Sequence, residues 1–168
     1  MPISPSDAII LEALQENARV RIDVLAERTG LSPASVQRRL RRLRERRILL
    51  GEVGLVDPAK VGRPLTIVVM VEMEDERADK LDAFQRAALR EPQVQQCYYV
   101  TGAADFCLVC TARDMADYEA LTQRLFFAGG NVRRFTTSVV MKRAKVGLAV
   151  PTAPIQEDPA GSLRRARG

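Results

Sequence analysis

Residues 25–43, LAERTGLSPASVQRRLRRL, decide how this chain is read. Leu25 and Ala26 share one face with Ile22, which predicts a helix over Arg21–Arg28. Thr29-Gly30 ends it, with Gly30 in the left-handed position that closes a helix. Ser32-Pro33 then starts another, serine as N-cap and proline in the first turn. Val36, Leu40, Leu43 and Arg47 recur at helical spacing, so this third helix is expected over Pro33–Arg47. Two helices joined by a short glycine-containing turn have the spacing of a helix-turn-helix. In that motif the second helix enters the major groove and its first residues reach base edges.

With the Val36-Leu40-Leu43 stripe turned toward the protein, Ala34, Arg38, Arg41 and Glu45 point most directly away. Ser35, Gln37 and Arg42 flank them. The candidate DNA-binding set is Ser32, Ala34, Ser35, Gln37, Arg38, Arg39, Arg41 and Arg42. Backbone N–H groups at a helix start suit phosphate. Arginine pairs bidentately with guanine, and glutamine with adenine. The sequence leaves open which residues read bases and which hold phosphates. The plainer alternative is a three-helix bundle whose third helix is merely basic and solvated.

Charge supports the first reading. The 168-residue chain carries +5 overall. Residues 1–64 are net +4, residues 65–150 are neutral and the last 18 are +1; Pro33–Arg47 alone is +6. Such clustering suits a polyanion. There is no histidine, which removes Ser-His-Asp and Cys-His nucleophiles and every histidine-ligated metal or haem site. No apolar run approaches 18 residues, so no membrane-spanning helix is expected. The N-terminus lacks the basic and long apolar regions of a secretory signal, and the chain is read as cytoplasmic.

Working outward, Asp7 opens a first helix whose Ile10, Leu11 and Leu14 share a face. Ile48–Val53 reads as a strand, and a linker is expected between Asp57 and Pro64. From Leu65 the period changes. The order is strand 65–73, helix 76–90, strand 94–101, strand 105–112, a helix capped by Asp114 and ended by Gly129-Gly130, and strand 132–145. This is β-α-β-β-α-β, the ferredoxin-like arrangement. The fold class is therefore α+β. The expected domains are a helix-turn-helix domain at 1–50, a strand and linker at 51–64, a βαββαβ domain at 65–150 and a disordered arginine-containing tail at 151–168.

Few side chains suggest other chemistry. Cys107 and Cys110 form a C-x-x-C on a strand, where positions i and i+3 face opposite sides, so buried core cysteines are expected rather than a metal site. Cys97 is isolated. Glu72, Glu74, Asp75, Glu76 and Asp79 read as a solvated turn and helix start. Tyr98 and Tyr99 place one ring on each side of their strand. No catalytic residue and no cofactor are expected.

An ordered series of motifs runs through both halves: D7-x-x-I10-L11-x-x-L14-Q15-x-N17-A18-R19, L25-A26-x-x-T29-G30-L31-S32-P33, V36-x-x-R39-x-x-x-L43, I48-x-x-G51, V56-D57-P58-x-K60-V61-G62, V100-T101-G102-x-x-D105-F106, V132-R133-R134 and T136-T137-S138-V139-V140. With it the chain resembles the Lrp/AsnC family of transcription regulators over about residues 7–150. The resemblance implies a winged-type helix-turn-helix domain joined to a βαββαβ ligand-sensing domain. It implies homodimers that assemble further into tetramers or octamers, double-stranded DNA as partner, and a small effector, usually an amino acid, bound between dimers. The Gly102–Asp105 loop corresponds to the family's effector motif, giving Thr101, Gly102, Ala103, Ala104 and Asp105 as candidates. Asp105 would face an α-ammonium and loop N–H groups an α-carboxylate; Thr136, Thr137 and Ser138 would add hydroxyls. Where the family often has a bulky residue before the aspartate, this chain has alanines, which enlarge the pocket or leave it empty.

Three other readings compete. A small-molecule-binding oligomeric module could act through protein partners. Enzymes of the haem-pathway decarboxylase type share the architecture but rely on histidine, which is missing here. An RNA-binding ferredoxin-like domain would carry an aromatic RNP pattern, and Tyr98, Tyr99 and Phe106 do not form one.

Overall fold

The computed structural model describes residues 3–152. Among these residues the chain forms two compact units, one of residues 3–54 together with 147–152, the other of Leu55–Val146.

The first unit holds α1 (Pro5–Glu16), α2 (Ile22–Thr29) and α3 (Pro33–Glu45). Its core is Ile10, Leu11, Ala13, Leu14, Leu25, Val36, Leu40 and Leu43. α1 starts earlier than the sequence suggested. Ser4 caps it by accepting from the Asp7 N–H, with Pro5 in the first turn, the same Ser-Pro device that starts α3. At Gly30 the backbone takes φ +66°, and its N–H and that of Leu31 close α2 on Glu27 and Ala26 carbonyls. That left-handed step sets the turn into α3. A Gly30→Ala substitution meets no atom within 4 Å, so its cost is the backbone strain of about 1 kcal/mol; a thermal melt of the helical signal should shift down accordingly, and an unchanged midpoint would contradict the strain argument.

The strand expected at Ile48–Val53 does not form. Arg47 turns left-handed at φ 54°. Ile48 and Leu49 then fold back, both N–H groups reaching the Leu43 carbonyl at 2.9 and 3.2 Å. Those donors are spent on the end of α3, and no strand runs alongside residues 50–53 among the described residues. Near the other end of the chain, the Val150 N–H donates to Gln15 Oε1 at 2.7 Å, and Gln15 Nε2 donates to the Val150 carbonyl at 3.0 Å. Thr152 Oγ1 donates to the Ala8 carbonyl. The segment from Gly147 thus lies along α1, inside the first unit.

The second unit is a four-stranded antiparallel sheet in the order β2-β3-β1-β4, with β1 (Leu65–Met73), β2 (Val94–Tyr99), β3 (Phe106–Ala112) and β4 (Val132–Val139). α4 (Ala78–Arg90) and α5 (Met115–Thr122) pack on one face, over Ile67, Val69, Val71, Phe106, Leu108 and Cys110. Asp114 caps α5 as expected. The helix does not stay α-helical to Gly129; it passes into a π-helical turn over Gln123–Phe127. β4 stops at Val139 rather than Lys145. Its partner β1 begins at Leu65, after Pro64, so in this register residues from 142 onward have no residue of β1 opposite them. Of the disordered arginine-containing tail expected at 151–168, residues 153–168 lie outside the described residues, while Thr152 is held on the Ala8 carbonyl. No helix among the described residues is long and apolar enough to cross a membrane.

Candidate DNA-binding and effector sites

α3 presents its residues as its periodicity requires. Val36, Leu40 and Leu43 are buried, while Ala34, Gln37, Arg38, Arg41 and Arg42 are exposed. At its start the Ser32 hydroxyl accepts from the Ser35 N–H and donates to Ser35 Oγ at 3.0 Å. Arg38 reaches back to Ser35 Oγ at 3.3 Å. The Arg41 side chain makes no hydrogen bond or ion pair among the described residues.

Arg39 is placed differently from the other candidates. Its side chain is only 27% exposed, and its guanidinium donates to Asp7 Oδ1 and Ser4 Oγ, both at 3.0 Å. Position 39 is three residues after Val36 and four before Leu43, inside the buried stripe rather than opposite it. Arg42 donates to Asp7 Oδ2 at 3.0 Å but keeps half its side chain in solvent. Asp7 therefore grips two arginines. Burial alone would raise its pKa, but the Ser4 hydroxyl and the two guanidiniums more than reverse this and hold the carboxyl below its ordinary value.

The effector candidates are split by the sheet. Gly102 takes φ +118° in the β2–β3 loop, where Thr101, Gly102 and Ala103 are exposed and Ala104 is buried. Asp105 is bound into the sheet: its N–H donates to the Val71 carbonyl and its Oδ2 accepts from the Met73 N–H at 2.7 Å. Thr136, Thr137 and Ser138 lie on β4, which β1 separates from β3. Thr136 and Ser138 pair with Met70 and Val68 on the face without helices. Thr137 faces the helices, its hydroxyl 2.6 Å from that of Tyr118. Within one chain the loop and the β4 hydroxyls do not converge.

Sequence reading missed a third group beside them. Arg133 and Arg134 both hold the Glu72 carboxylate, at 2.6 and 2.5 Å. Their hydrogen bonds depress its pKa. The two arginines line a hollow of about 230 Å³ together with Phe126, Phe127, Val132 and Phe135. A Glu72–Arg134 pair directly across two strands was detectable only once their register was known.

The cysteines follow strand alternation. Cys110 is buried in the core, and burial pushes its thiol up to about 12. Cys107 sits on the helix-free face opposite Met70. Tyr99 packs on Phe106 with ring centroids 5.3 Å apart, while Tyr98 lies beside Cys107 on the other side.

Comparison with known proteins agrees with this layout. Residues 66–150 match the family model of the Lrp/AsnC ligand binding domain, and residues 4–49 match a winged helix-turn-helix DNA-binding model. An uncharacterized HTH-type transcriptional regulator of Sinorhizobium fredii is 44% identical over 90% of this chain and 89% of its own length. The regulator AldR of Mycolicibacterium smegmatis is 31% identical over 83% of this chain and 81% of its own. A transcriptional regulator of Neisseria meningitidis, crystallised with L-methionine, superposes with a TM-score of 0.81 at 28% identity, covering 89% of this chain and 96% of that one. An AsnC family regulator of Agrobacterium tumefaciens gives 0.82 at 27% identity, covering 89% and 97%. With its helix-turn-helix in the first unit and its antiparallel sheet in the second, this chain belongs to the Lrp/AsnC family of helix-turn-helix transcriptional regulators.

Proposed function

We propose that this regulator binds specific duplex DNA through α3 and answers to an amino acid bound by its sheet unit. The observation that carries the first half is the row of exposed arginines, Arg38, Arg41 and Arg42, on the helix that follows the Gly30 turn. Ser32, Ala34, Ser35 and Gln37 occupy the end of α3 that meets base edges in this motif. Arg39 supports the helix from behind. The reading assigns no catalytic residue and no cofactor. It places the protein in the cytoplasm, with the chromosome it reads.

The Thr101–Asp105 loop is the assigned effector contact, supported by the exposure of Thr101, Gly102 and Ala103 and by the L-methionine complex of the Neisseria relative. Because Thr136 and Ser138 lie two strands away, a single ligand would meet loop and hydroxyls only from different subunits.

Assembly as a homodimer, and of dimers into tetramers or octamers, is supported by the face of the sheet that carries no helices. A sheet bare on one side buries that side against something. Here Val68, Met70, Tyr98, Cys107 and Val109 share it, Met70 and Tyr98 being 38% and 49% exposed. A Met70→Arg substitution should weaken the dimer by about 100-fold or more, since an arginine there would be buried unpaired; sedimentation at micromolar protein measures it, and an unaltered dimer would place the interface elsewhere.

The test of the function itself is a fluorescence anisotropy titration. The protein is added to labelled duplex from upstream of its own gene and to a scrambled duplex, at several salt concentrations, then with a panel of amino acids that includes methionine. Preference for the native duplex, a steep negative salt slope and a shift with one amino acid are expected. Equal, weak binding to both duplexes would overturn the DNA reading.

A further inference from the structure

Asp7 is 3% exposed and sits in the first turn of α1, beside the Ser4 cap. What it holds is α3. Oδ1 takes Arg39 and Oδ2 takes Arg42, residues three apart on one side of that helix. Ser4, which caps α1, shares the same Arg39 nitrogen. Two arginines fixed at two oxygens set how α3 is turned about its own axis, and thereby where Arg38 and Arg41 point. Arg39 is taken out of solvent. Arg42 spends one nitrogen on Asp7 and keeps the rest of its guanidinium exposed.

We infer that Asp7 is a positioning residue for DNA recognition: it presents Arg42 to a phosphate in one orientation, keeps Arg39 away from the DNA, and fixes the angle at which α3 offers Arg38 and Arg41. This rests on α3 being the reader, as proposed above. A carboxylate beside a basic helix lowers total affinity for any DNA. What it contributes in exchange is discrimination, because loose arginines bind phosphate wherever they meet it.

Asp7→Asn keeps the side-chain shape and removes the charge. With Arg39 and Arg42 released, binding to scrambled duplex should rise and the plot of log affinity against log salt should steepen by about 0.9 for each arginine that finds a phosphate. Preference for the native duplex should fall about 10-fold, the scale of one lost oriented contact. Arg42→Gln is the second variant; it changes a half-exposed side chain, leaves Asp7 with Arg39, and does not depend on the first one folding. It should flatten the slope by about 0.9 and weaken both duplexes alike.

Helical circular dichroism confirms that each variant is folded. If Asp7→Asn is folded and weakens both duplexes in proportion with the slope unchanged, Asp7 is only structural and the inference fails. If Arg42→Gln leaves the slope as it was, Arg42 meets no phosphate and the inference fails too. Wild-type protein without preference for the native duplex would instead sink the functional reading itself, so the two failures are separable.

Discussion

An Arg38→Ala/Arg41→Ala variant is expected to lose at least about 100-fold in affinity for the native duplex and most of its preference over scrambled DNA, because a good bidentate arginine contact discriminates by about 1–3 kcal/mol. Both side chains are exposed on the outer face of α3. Arg38 is tied only to Ser35 at 3.3 Å, and Arg41 to nothing among the described residues. Their removal leaves the Val36-Leu40-Leu43 face and the Asp7 grip untouched, so the melting temperature should stay within a degree or two of wild type. That combination, lost recognition with intact stability, is what separates a reading helix from a merely charged one. A variant that melts normally and still prefers the native duplex would mean that the specificity lies elsewhere in the chain.

The second large effect is on the sheet unit. Phe106 is 1% exposed, with its ring 4.8 Å from Phe84 and 5.3 Å from Tyr99 by centroid. Phe106→Ala should cost about 3–5 kcal/mol, the range for a buried aromatic cut to alanine. Against a total stability of about 5–15 kcal/mol for a domain, that is a large share. The chain supplies its own reporter. It has no tryptophan and three tyrosines, Tyr98, Tyr99 and Tyr118, all within Leu55–Val146. Tyrosine fluorescence during urea denaturation therefore follows the sheet unit alone. Its midpoint should drop strongly in the variant. An unmoved midpoint would show that the aromatic cluster is not what holds the sheet to its helices.

Much of this was legible in residue spacing. The Ser32-Pro33 start, the Gly30 turn and the alternation of Phe106, Leu108 and Cys110 each follow from local rules, and each is found in place. The order of strands and helices could be read because every segment carries its own period. What escaped had partners far away in sequence. Arg39 looked like one more reader arginine until Asp7 and Ser4, more than thirty residues earlier, took its guanidinium. Its place within the Val36–Leu43 stripe was the available signal. The strand expected at Ile48–Val53 had the right composition but lacked a neighbour, and the long final strand ran past the start of β1. Strand length is set by pairing, which composition does not contain. For the effector loop, spacing located a turn, and nothing local announced that β1 would stand between β3 and the threonines of β4.

The segment along α1 bears on how the protein is made. The three helices contact one another locally, and such contacts form early. Gln15, however, finds its backbone partner at Val150, 135 residues later, and Ala8 waits for Thr152. At the usual pace of translation the interval is on the order of ten seconds, with the whole sheet synthesised in between. The part of the chain that is made first is thus finished last. A nascent or prematurely terminated polypeptide would display α3 on a head whose α1 lacks these contacts, so completion of the helical unit is coupled to synthesis of the whole sheet unit.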